Sequence, residues 1–508
     1  MPIASFLQGL SGLPERLGEG IAGRRDGVKA LLAWTRFSSS LRHDPAQYDH
    51  QQRDLIRLGR MVMTLYPGIM IGMARDVAML AEGMGDERAF RIAMQRALKD
   101  AGRLEARLDR GLAATVMLFD FYVSLMDFAA ARRVAEQLLV DNSQAAHDLL
   151  ERLADLKAEC ADWLGVLQAA HGSLMARIEG QPTPERAGTV VVHIPVPGFR
   201  SNIRDYPGFR SDIRTAFRQM LTVLAERGVP VTIRARLAKH GVLAGEGPYI
   251  AYHTVGSDRR GLHIKESDRR QYFSGDPGGY SGWASFADRP LPEADAFDRQ
   301  AVEVFIAEEK ARLIAGNLSK YDQPDIVADL SLRDRPYVFV ALQVVDDAVQ
   351  RQASLHMFDM LQEVADTCAA RGIDLVVKRH PLCRSVAVAH VLRRGARHGR
   401  FRVATGSIHP LIANACAVCV TNSGVGAEAL LHGRPVYTFG RAEYQAATFQ
   451  VRRPGDFNRL FLPDVLPADP VRIEALLYAL RHDYAVDLRD EERAMAFWRR
   501  RIDDLLEA

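Results

Sequence analysis

Apolar residues recur at intervals of three and four along the first third of the chain, from residue 1 to about 178. The stretch "ARRVAEQLLVDNSQAAHDLLERLADL" (131–156) shows this spacing, which places the apolar side chains on one face of a helix. Strand-like alternation is missing, so the pattern predicts helix throughout. A weak echo between the segments that begin at Asp127 and Asp162 resembles a helix-hairpin repeat. A stack of helical hairpins and a plain helical bundle both stay open.

The pattern changes abruptly after residues 179–188, a polar segment with two prolines that is typical of a linker. A β-branched run (189–198), a helix-like segment and a strand-like run, "VPVTIRAR", follow, and a second alternation of strands and helices starts near 336. Such alternation predicts parallel sheets covered by helices, here two Rossmann-like α/β domains that face each other across a cleft. The predicted parts are an α-helical domain at 1–178, the linker at 179–188, Rossmann-like domains at 189–330 and 331–465, and C-terminal helices at 466–508.

Composition narrows the class of protein. A net charge of +3 on 508 residues does not favour nucleic acid as a partner. Five scattered cysteines favour a reducing cytoplasm over a disulfide framework. Cys416 and Cys419 form a CxxC, which we interpret as small apolar core residues, because a zinc site would need a second ligand pair. The most apolar segment, 61–74, is too short to span a bilayer, and no signal peptide is recognised, so we expect a soluble protein or one attached to a membrane surface.

Candidate chemistry begins at "VVKRHP" (376–381), where Lys378, Arg379 and His380 follow an apolar strand that Pro381 ends. Cations at the carboxyl end of a strand favour a phosphate, and an imidazole can donate a hydrogen bond or a proton. Taken alone, the segment is more typical of a solvated basic loop.

A second segment, "TNSGVGAEALLHG" (421–433), joins a strand to a helix. We expect its two glycines to allow a sharp turn, and the following helix to present free N–H groups to an anion. Short polar side chains there add hydrogen-bond donors, and the acid in the early helix could bind ribose hydroxyls or simply favour a helix N-terminus. Together with His380 they predict a nucleotide-phosphate site. The residues of this segment are Thr421, Asn422, Ser423, Gly424, Gly426 and Glu428.

These two segments resemble the C-terminal half of the bacterial capsule polysaccharide biosynthesis family, which includes transferases that add Kdo, a 3-deoxy-ulosonic acid, from a CMP-activated donor. "YVFVALQVVDDA" (337–348) and "IKESDRRQYFSGDPGGYSGWAS" (264–285) are similar to two further family segments. The resemblance covers roughly residues 189–465 and implies a GT-B-like fold with the donor bound in the C-terminal domain.

The resemblance also implies roles for single residues. His380 and Pro381 match a His-Pro motif near the donor phosphate, Ser423 with Thr421 or Asn422 matches a phosphate-binding motif, and Glu428 matches the acid of the nucleotide-binding helix. Gln343 matches a glutamine that we expect to line the cleft. Glu266 matches the catalytic carboxylate, although Ser267 follows it where relatives have Gly, so Asp268 is the alternative acid.

We therefore expect a glycosyltransferase that transfers a Kdo-like sugar to a glycan or glycolipid acceptor, either free in the cytoplasm or at the inner face of the inner membrane. His380, Lys378 and Ser423 would stabilise the leaving phosphate, and the acid would act as nucleophile or base, with retention favoured by the resemblance. Neither a metal nor a cofactor other than the donor is required. Alternatives are a UDP- or GDP-sugar donor, a nonulosonic acid transferred to a protein such as flagellin, and a non-catalytic scaffold.

The helical third has its own set of expectations. It could dock a partner or a protein acceptor on a concave face, hold the enzyme near a membrane, or act as a structural cap. Membrane contact would use Arg24 and Arg25, or the C-terminal "WRRR" (498–501).

Overall fold

The computed structural model forms two compact units, one ending at Tyr252 and the other containing residues 253–508. The residues that it describes are 71–107, 111–159, 161, 164–181, 188–195, 202–203, 206–207, 211–237, 241–242, 247–256, 259–267, 269, 271–324, 335–345, 347–383 and 385–508.

The described residues between 71 and 179 of the first unit are mainly helical, as the spacing of apolar residues predicts. Short polar side chains begin its helices: Asp86 and Asp127 each accept a hydrogen bond at 2.9 Å from the N–H three residues further on. Alanines fill the buried face of the second helix and let its neighbours approach closely. The helices are α1 (Ile71–Gly83), α2 (Glu87–Glu105), α3 (Gly111–Ser124), α4 (Phe128–Glu136), α5 (Ser143–Glu159) and α6 (Leu164–Glu179).

The α/β part of the first unit follows the predicted strand–helix–strand order. Strand β1 pairs in parallel with both β4 and β5, and one helix connects β1 to β4 in sequence. Two short strands form a separate antiparallel pair. The elements are β1 (Val190–Pro195), β2 (Asn202–Ile203), β3 (Tyr206–Pro207), α7 (Ser211–Glu226), β4 (Val231–Arg236) and β5 (Tyr249–Tyr252).

A buried ion pair joins the helical part to this sheet. The Arg177 guanidinium on α6 donates to the Glu82 carboxylate on α1 at 2.9 Å and to the Ala235 carbonyl on β4 at 3.2 Å. The second Glu82 oxygen accepts from the Leu237 N–H at 2.6 Å. Glu82 is 0% exposed, so its charge relies on these partners. The helical part and the first strands are therefore packed as one unit.

The second unit opens with an antiparallel pair, β6 and β7, to which a strand from near the C-terminus, β14, adds in antiparallel orientation. The sequence predicts helix over the last forty residues, and β14 is a difference from that prediction. Its three residues lie between two helices and are too few to show alternation. The elements before the next sheet are β6 (Gly261–Glu266), β7 (Tyr272–Asp276), α8 (Arg299–Glu309) and a π-helical turn (Lys310–Ala315).

The C-terminal part contains a six-stranded, all-parallel sheet with strand order β10-β9-β8-β11-β12-β13. Successive residues of β8 belong to different cores: Val338 packs on one face of the sheet and Phe339 on the other. A continuous apolar run is what a strand buried on both faces requires.

The chain runs outward from β8 to β10 and then returns to begin β11 beside β8, which makes a topological switch point between β8 and β11. The predicted mixed α/β class with a helical N-terminal region is confirmed. The remaining strands are β8 (Tyr337–Ala341), β9 (Asp374–Lys378), β10 (Arg402–Ala404), β11 (Ala417–Val420), β12 (Val436–Thr438), β13 (Phe449–Gln450) and β14 (Ala485–Asp487). The helices are α9 (Met357–Ala370), α10 (Val386–Arg397), α11 (Ile408–Ala413), α12 (Val425–Leu431), α13 (Asp456–Leu460), α14 (Pro470–Ala479) and α15 (Glu491–Glu507).

Candidate anion site at the carboxyl edge of the parallel sheet

The predicted site residues follow three adjacent strands of the parallel sheet. Register places Lys378, Ala341 and Val420 in one row across β9, β8 and β11. Neighbouring strands are about 4.8 Å apart, so the ends of β9 and β11 are roughly 10 Å apart. His380 lies two residues beyond the end of β9, and Ser423 lies three residues beyond the end of β11. The fold therefore brings both segments to the same edge, where open α/β sheets bind ligands.

His380 is held as a neutral hydrogen-bond donor. Its Nδ1 accepts from the Leu382 N–H at 3.1 Å, so the proton of the neutral ring lies on Nε2. Burial lowers the pKa of His380 to about 4; Asp347 opposes this shift, whereas Lys320 and Lys378 add to it. The Tyr321 ring packs edge-on against the imidazole, with 5.0 Å between centroids.

Lys378 and Pro381 complete this end of β9. The Lys378 ammonium donates to the Gly406 carbonyl. Burial lowers the pKa of Lys378, and the Glu428 carboxylate opposes that shift. Pro381 is exposed immediately after His380. The basic segment is thus partly enclosed and differs from a fully solvated loop.

The three short polar residues after β11 have different surroundings. Thr421 is buried, and its hydroxyl lies 3.8 Å from the Met360 sulfur. Asn422 is also buried; its Nδ2 donates to the Val349 carbonyl at 2.8 Å, and its Oδ1 has no hydrogen-bond partner among the described residues. Ser423 is half-buried, and its Oγ accepts from the Val425 N–H at 3.4 Å. Of the three, Ser423 has the hydroxyl best placed to contact a ligand.

The turn into α12 differs from its prediction in two respects. Gly424 directly precedes the helix with φ of −54°, so no left-handed conformation is needed there. Gly426 is required for packing, because a Cβ atom there would lie 2.3 Å from the Tyr444 hydroxyl oxygen. The N–H groups of Val425 and Gly426 donate to the side chain and the carbonyl of Ser423. They are already engaged, so side chains must provide more of any anion site than the sequence suggested.

Glu428 lies inside the fold. The residue is only 6% exposed, and its Oε1 accepts a hydrogen bond from the Ser319 hydroxyl at 2.7 Å. The predicted contact with ribose would therefore have to replace or bypass Ser319.

Ser319 belongs to a segment that the sequence patterns did not single out, residues 317–323, which we call the strap. The strap follows the π-helical turn, and its ends are attached near α11. The Leu318 carbonyl is 2.8 Å from His409 Nε2, and Gln323 Oε1 accepts from the Ile408 N–H at 3.1 Å. Such short polar connections carry no periodicity, so sequence offers no signal for this arrangement.

The middle of the strap connects the predicted site residues. Ser319 bonds Glu428, and the Lys320 ammonium donates to the Ser267 carbonyl at 2.8 Å. Tyr321 contacts His380. One short segment thus touches Glu428, His380 and Ser267, the residue next to the predicted catalytic carboxylate.

The carboxylate of Glu266, at the end of β6, lies 3.1 Å from the Lys265 ammonium, which stabilises its negative charge. Two cations contact Ser267. Lys320 donates to its carbonyl, and Arg481 lies 3.4 Å from its hydroxyl. The alternative acid, Asp268, lies outside the described residues.

Gln343 follows β8 beside the switch point. It is 8% exposed, and its Oε1 has no hydrogen-bond partner among the described residues. A buried amide oxygen of this kind normally has a partner, so a ligand group or a water molecule could fill that role.

Several other expectations can be compared with the structure. Cys416 and Cys419 are free and buried in the core, as predicted. Trp498 is 0% exposed, so this residue of the "WRRR" segment is not available for membrane contact, and Arg24 and Arg25 lie outside the described residues. The described helices include none with the length and apolar character needed to cross a bilayer. Within the described ranges, no group of three or more His, Cys, Asp or Glu side chains could hold a metal ion.

The doubly wound parallel sheet, with polar and basic groups gathered at its carboxyl edge, defines an α/β protein with a candidate ligand site at that edge. Residues 295–454, roughly a third of the chain, match the family described as "Capsule polysaccharide biosynthesis protein". This match contains β8 to β13, the strap, Lys378, His380 and the 421–428 segment. It confirms the family resemblance recognised in the sequence. No curated protein matches the chain.

Solved structures show weaker similarity. The β-Kdo 2,4-transferase of KpsC from Thermosulfurimonas dismutans is 15% identical, with a TM-score of 0.36, and the match covers 58% of this chain and 91% of that one. The β-Kdo 2,7-transferase of the same protein is also 15% identical, with a TM-score of 0.34 and coverage of 61% and 99%. A mutant O-GlcNAc transferase from Thermobaculum terrenum is 11% identical, with a TM-score of 0.27 and coverage of 94% and 99%.

Proposed function

We propose that the chain is a glycosyltransferase that moves a 3-deoxy-ulosonic sugar from a CMP-activated donor to a glycan or glycolipid acceptor in surface polysaccharide biosynthesis. The observation that carries this proposal is the meeting of His380, Glu428 and the Ser267 strand end around one strap within a single compact unit. The family match supports a place in capsule biosynthesis. The choice of an ulosonic sugar and of CMP rests on the motif resemblance alone.

Glycosyl transfer breaks the bond between the anomeric carbon and a phosphate oxygen, so negative charge accumulates on the leaving phosphate. Neutral His380 donates its Nε2 proton in a hydrogen bond to that oxygen, and the Ser423 hydroxyl provides a second donor. The positive charge of Lys378 stabilises the anion from the end of the same strand. Groups that are already oriented in a partly desolvated site stabilise a developing charge far more than mobile groups in water do.

Glu266 supplies the carboxylate of the reaction. As a nucleophile it would form a bond to the anomeric carbon while the phosphate leaves, and the acceptor hydroxyl would then displace it with retention. As a base it would take the proton of the acceptor hydroxyl during a single displacement with inversion. Both roles need an ionised carboxylate, and the Lys265 ammonium lies 3.1 Å from the Glu266 carboxylate as its counter-charge.

A nucleotide panel tests the donor site. Thermal unfolding is followed with CMP, UDP, GDP and ADP, since a ligand at about 100 times its Kd stabilises a protein by about 2.7 kcal/mol. Selective stabilisation by CMP, lost in His380→Ala, is the expected result. Selective stabilisation by UDP or GDP would show that the donor carries that nucleotide and not CMP. No response to any nucleotide would overturn the proposal in favour of a non-catalytic scaffold.

Turnover tests the acid. Glu266→Gln preserves size and removes the charge, and we expect it to abolish transfer from a CMP-ulosonic acid while CMP still stabilises the protein. Full activity of this variant would refute the assignment of Glu266. Asp268→Asn, made in parallel, then tests the neighbouring acid.

A further inference from the structure

The strap is built into the second unit at several points. Its two ends are attached near α11 through Leu318 and Gln323, and its middle is attached to α12 through Ser319. Attachment on both sides fixes the backbone of the intervening residues, so Lys320 and Tyr321 have little freedom to move away from the site.

Lys320 lies between two parts of the candidate site. Its ammonium donates to the Ser267 carbonyl at 2.8 Å, next to the proposed catalytic acid. The following residue, Tyr321, packs against the His380 ring. Lys320 is half-buried, so it is neither fully exposed to solvent nor part of the core. Its positive charge adds to the effects that depress the pKa of His380, which places that charge within electrostatic reach of the imidazole.

We propose that Lys320 is a further phosphate-binding residue of the donor site, and that Glu428 positions it by holding the strap through Ser319; this inference rests on the proposed function. A neutral imidazole supplies a directed hydrogen bond but no charge. An ammonium beside it supplies the missing positive charge, which adds a direct Coulomb attraction to the phosphate anion.

Glu428 has a positioning role in this arrangement and does not itself bind the ligand. Its carboxylate is buried and already accepts from Ser319, so it contacts the strap rather than an open ribose-binding surface. Glu428 is then a positioning residue: it acts on the ligand through the strap.

Charge removal at Lys320 tests the first half. Lys320→Gln keeps a hydrogen-bond donor for the Ser267 carbonyl and loses the positive charge. We expect CMP to bind about 10- to 100-fold more weakly, while cytidine, which lacks the phosphate, binds as it does to the wild type. Asp322→Asn, a change of charge at the exposed neighbour in the strap, is the matched control and should leave both affinities unchanged.

Each outcome has a definite meaning. Equal CMP affinity in Lys320→Gln and the wild type overturns this inference alone, and so does equal weakening of CMP and cytidine, which would show a merely structural role. Absence of CMP binding by the wild type overturns the proposed function and this inference with it. As a second readout, NMR titration of His380 should give a higher pKa in Lys320→Gln, because a nearby cation has been removed.

A double-mutant cycle tests Glu428. We compare Ser319→Ala, Glu428→Met, which preserves volume without an acceptor, and the double variant. If Glu428 acts through Ser319, each single variant binds CMP more weakly than the wild type. The double variant then has the same CMP affinity as the single variant that binds CMP more weakly. All three should also keep the wild-type ratio of affinities for CMP and 2′-deoxy-CMP. Loss of that ratio in Glu428→Met, but not in Ser319→Ala, would show direct ribose binding and overturn the positioning role.

Discussion

The depressed pKa of His380 predicts a specific loss of stability in acid. Burial lowers this pKa from the usual 6.5 to about 4 in the folded protein. Between these pH values the unfolded chain binds a proton that the folded chain does not, so the free energy of unfolding falls as the pH falls. The loss is about 1.4 kcal/mol per pH unit, which amounts to about 2 kcal/mol between pH 6.5 and pH 5. Above pH 6.5 the imidazole is neutral in both the folded and the unfolded chain, so this loss is absent.

Urea unfolding of the wild type and of His380→Gln at pH 7 and pH 5 measures this contribution. Glutamine does not titrate, so the variant should lose about 2 kcal/mol less than the wild type on acidification. His482→Gln is the matched control: burial also lowers the pKa of His482 to about 4, but this residue lies in the π-helical turn Leu480–Tyr484. Both variants should show the smaller acid effect, and only His380→Gln should lose CMP binding. The same pH dependence in His380→Gln and the wild type would refute the electrostatic reasoning about His380.

Three further predictions follow from packing and charge. Glu82→Ala leaves Arg177 as a buried charge without its carboxylate, and we expect it to lower the free energy of unfolding by about 3–5 kcal/mol in denaturant titrations; a change below 1 kcal/mol would contradict the buried pair. Gly426→Ala forces a methyl group against Tyr444, and an expected loss of about 1–3 kcal/mol should appear as a lower Tm; an unchanged Tm would show that this contact is absent. EDTA should leave transfer activity unchanged, since side chains of the chain supply the charge that the proposed reaction needs, and inactivation that Mg²⁺ reverses would contradict this.

The strand ends were predictable because burial and topology leave strong marks on a sequence. A strand covered on both faces must be continuously apolar, as β8 and β11 are, and the first polar residue after it marks the carboxyl edge of the sheet. His380 and Ser423 could therefore be assigned to the same edge from the pattern alone. The family motifs then added a chemical role that periodicity cannot give.

The strap and β14 could not be predicted in the same way. Ser319 and Glu428 are 109 residues apart, and Lys320 and Ser267 are 53 apart, so these contacts exist only once both sheets have formed. The segment "NLSKYDQ" is short, polar and aperiodic, which makes it look like any surface connection.

The reason for a glycine at position 426 could not be predicted from the sequence either. Gly426 was expected to permit a sharp turn, but the structure requires a glycine there because Tyr444 packs against the backbone. A sequence shows that a side chain is missing, and only the fold shows whether conformation or space demands its absence.

The most direct test of the central claim is a calorimetric titration of CMP into the wild type and into His380→Ala under identical buffer and salt. We predict that the wild type binds CMP and that the variant binds it at least about tenfold more weakly, because a charge-assisted hydrogen bond to the phosphate is lost. Equal affinity in the two proteins would contradict the claim that His380 holds the donor phosphate.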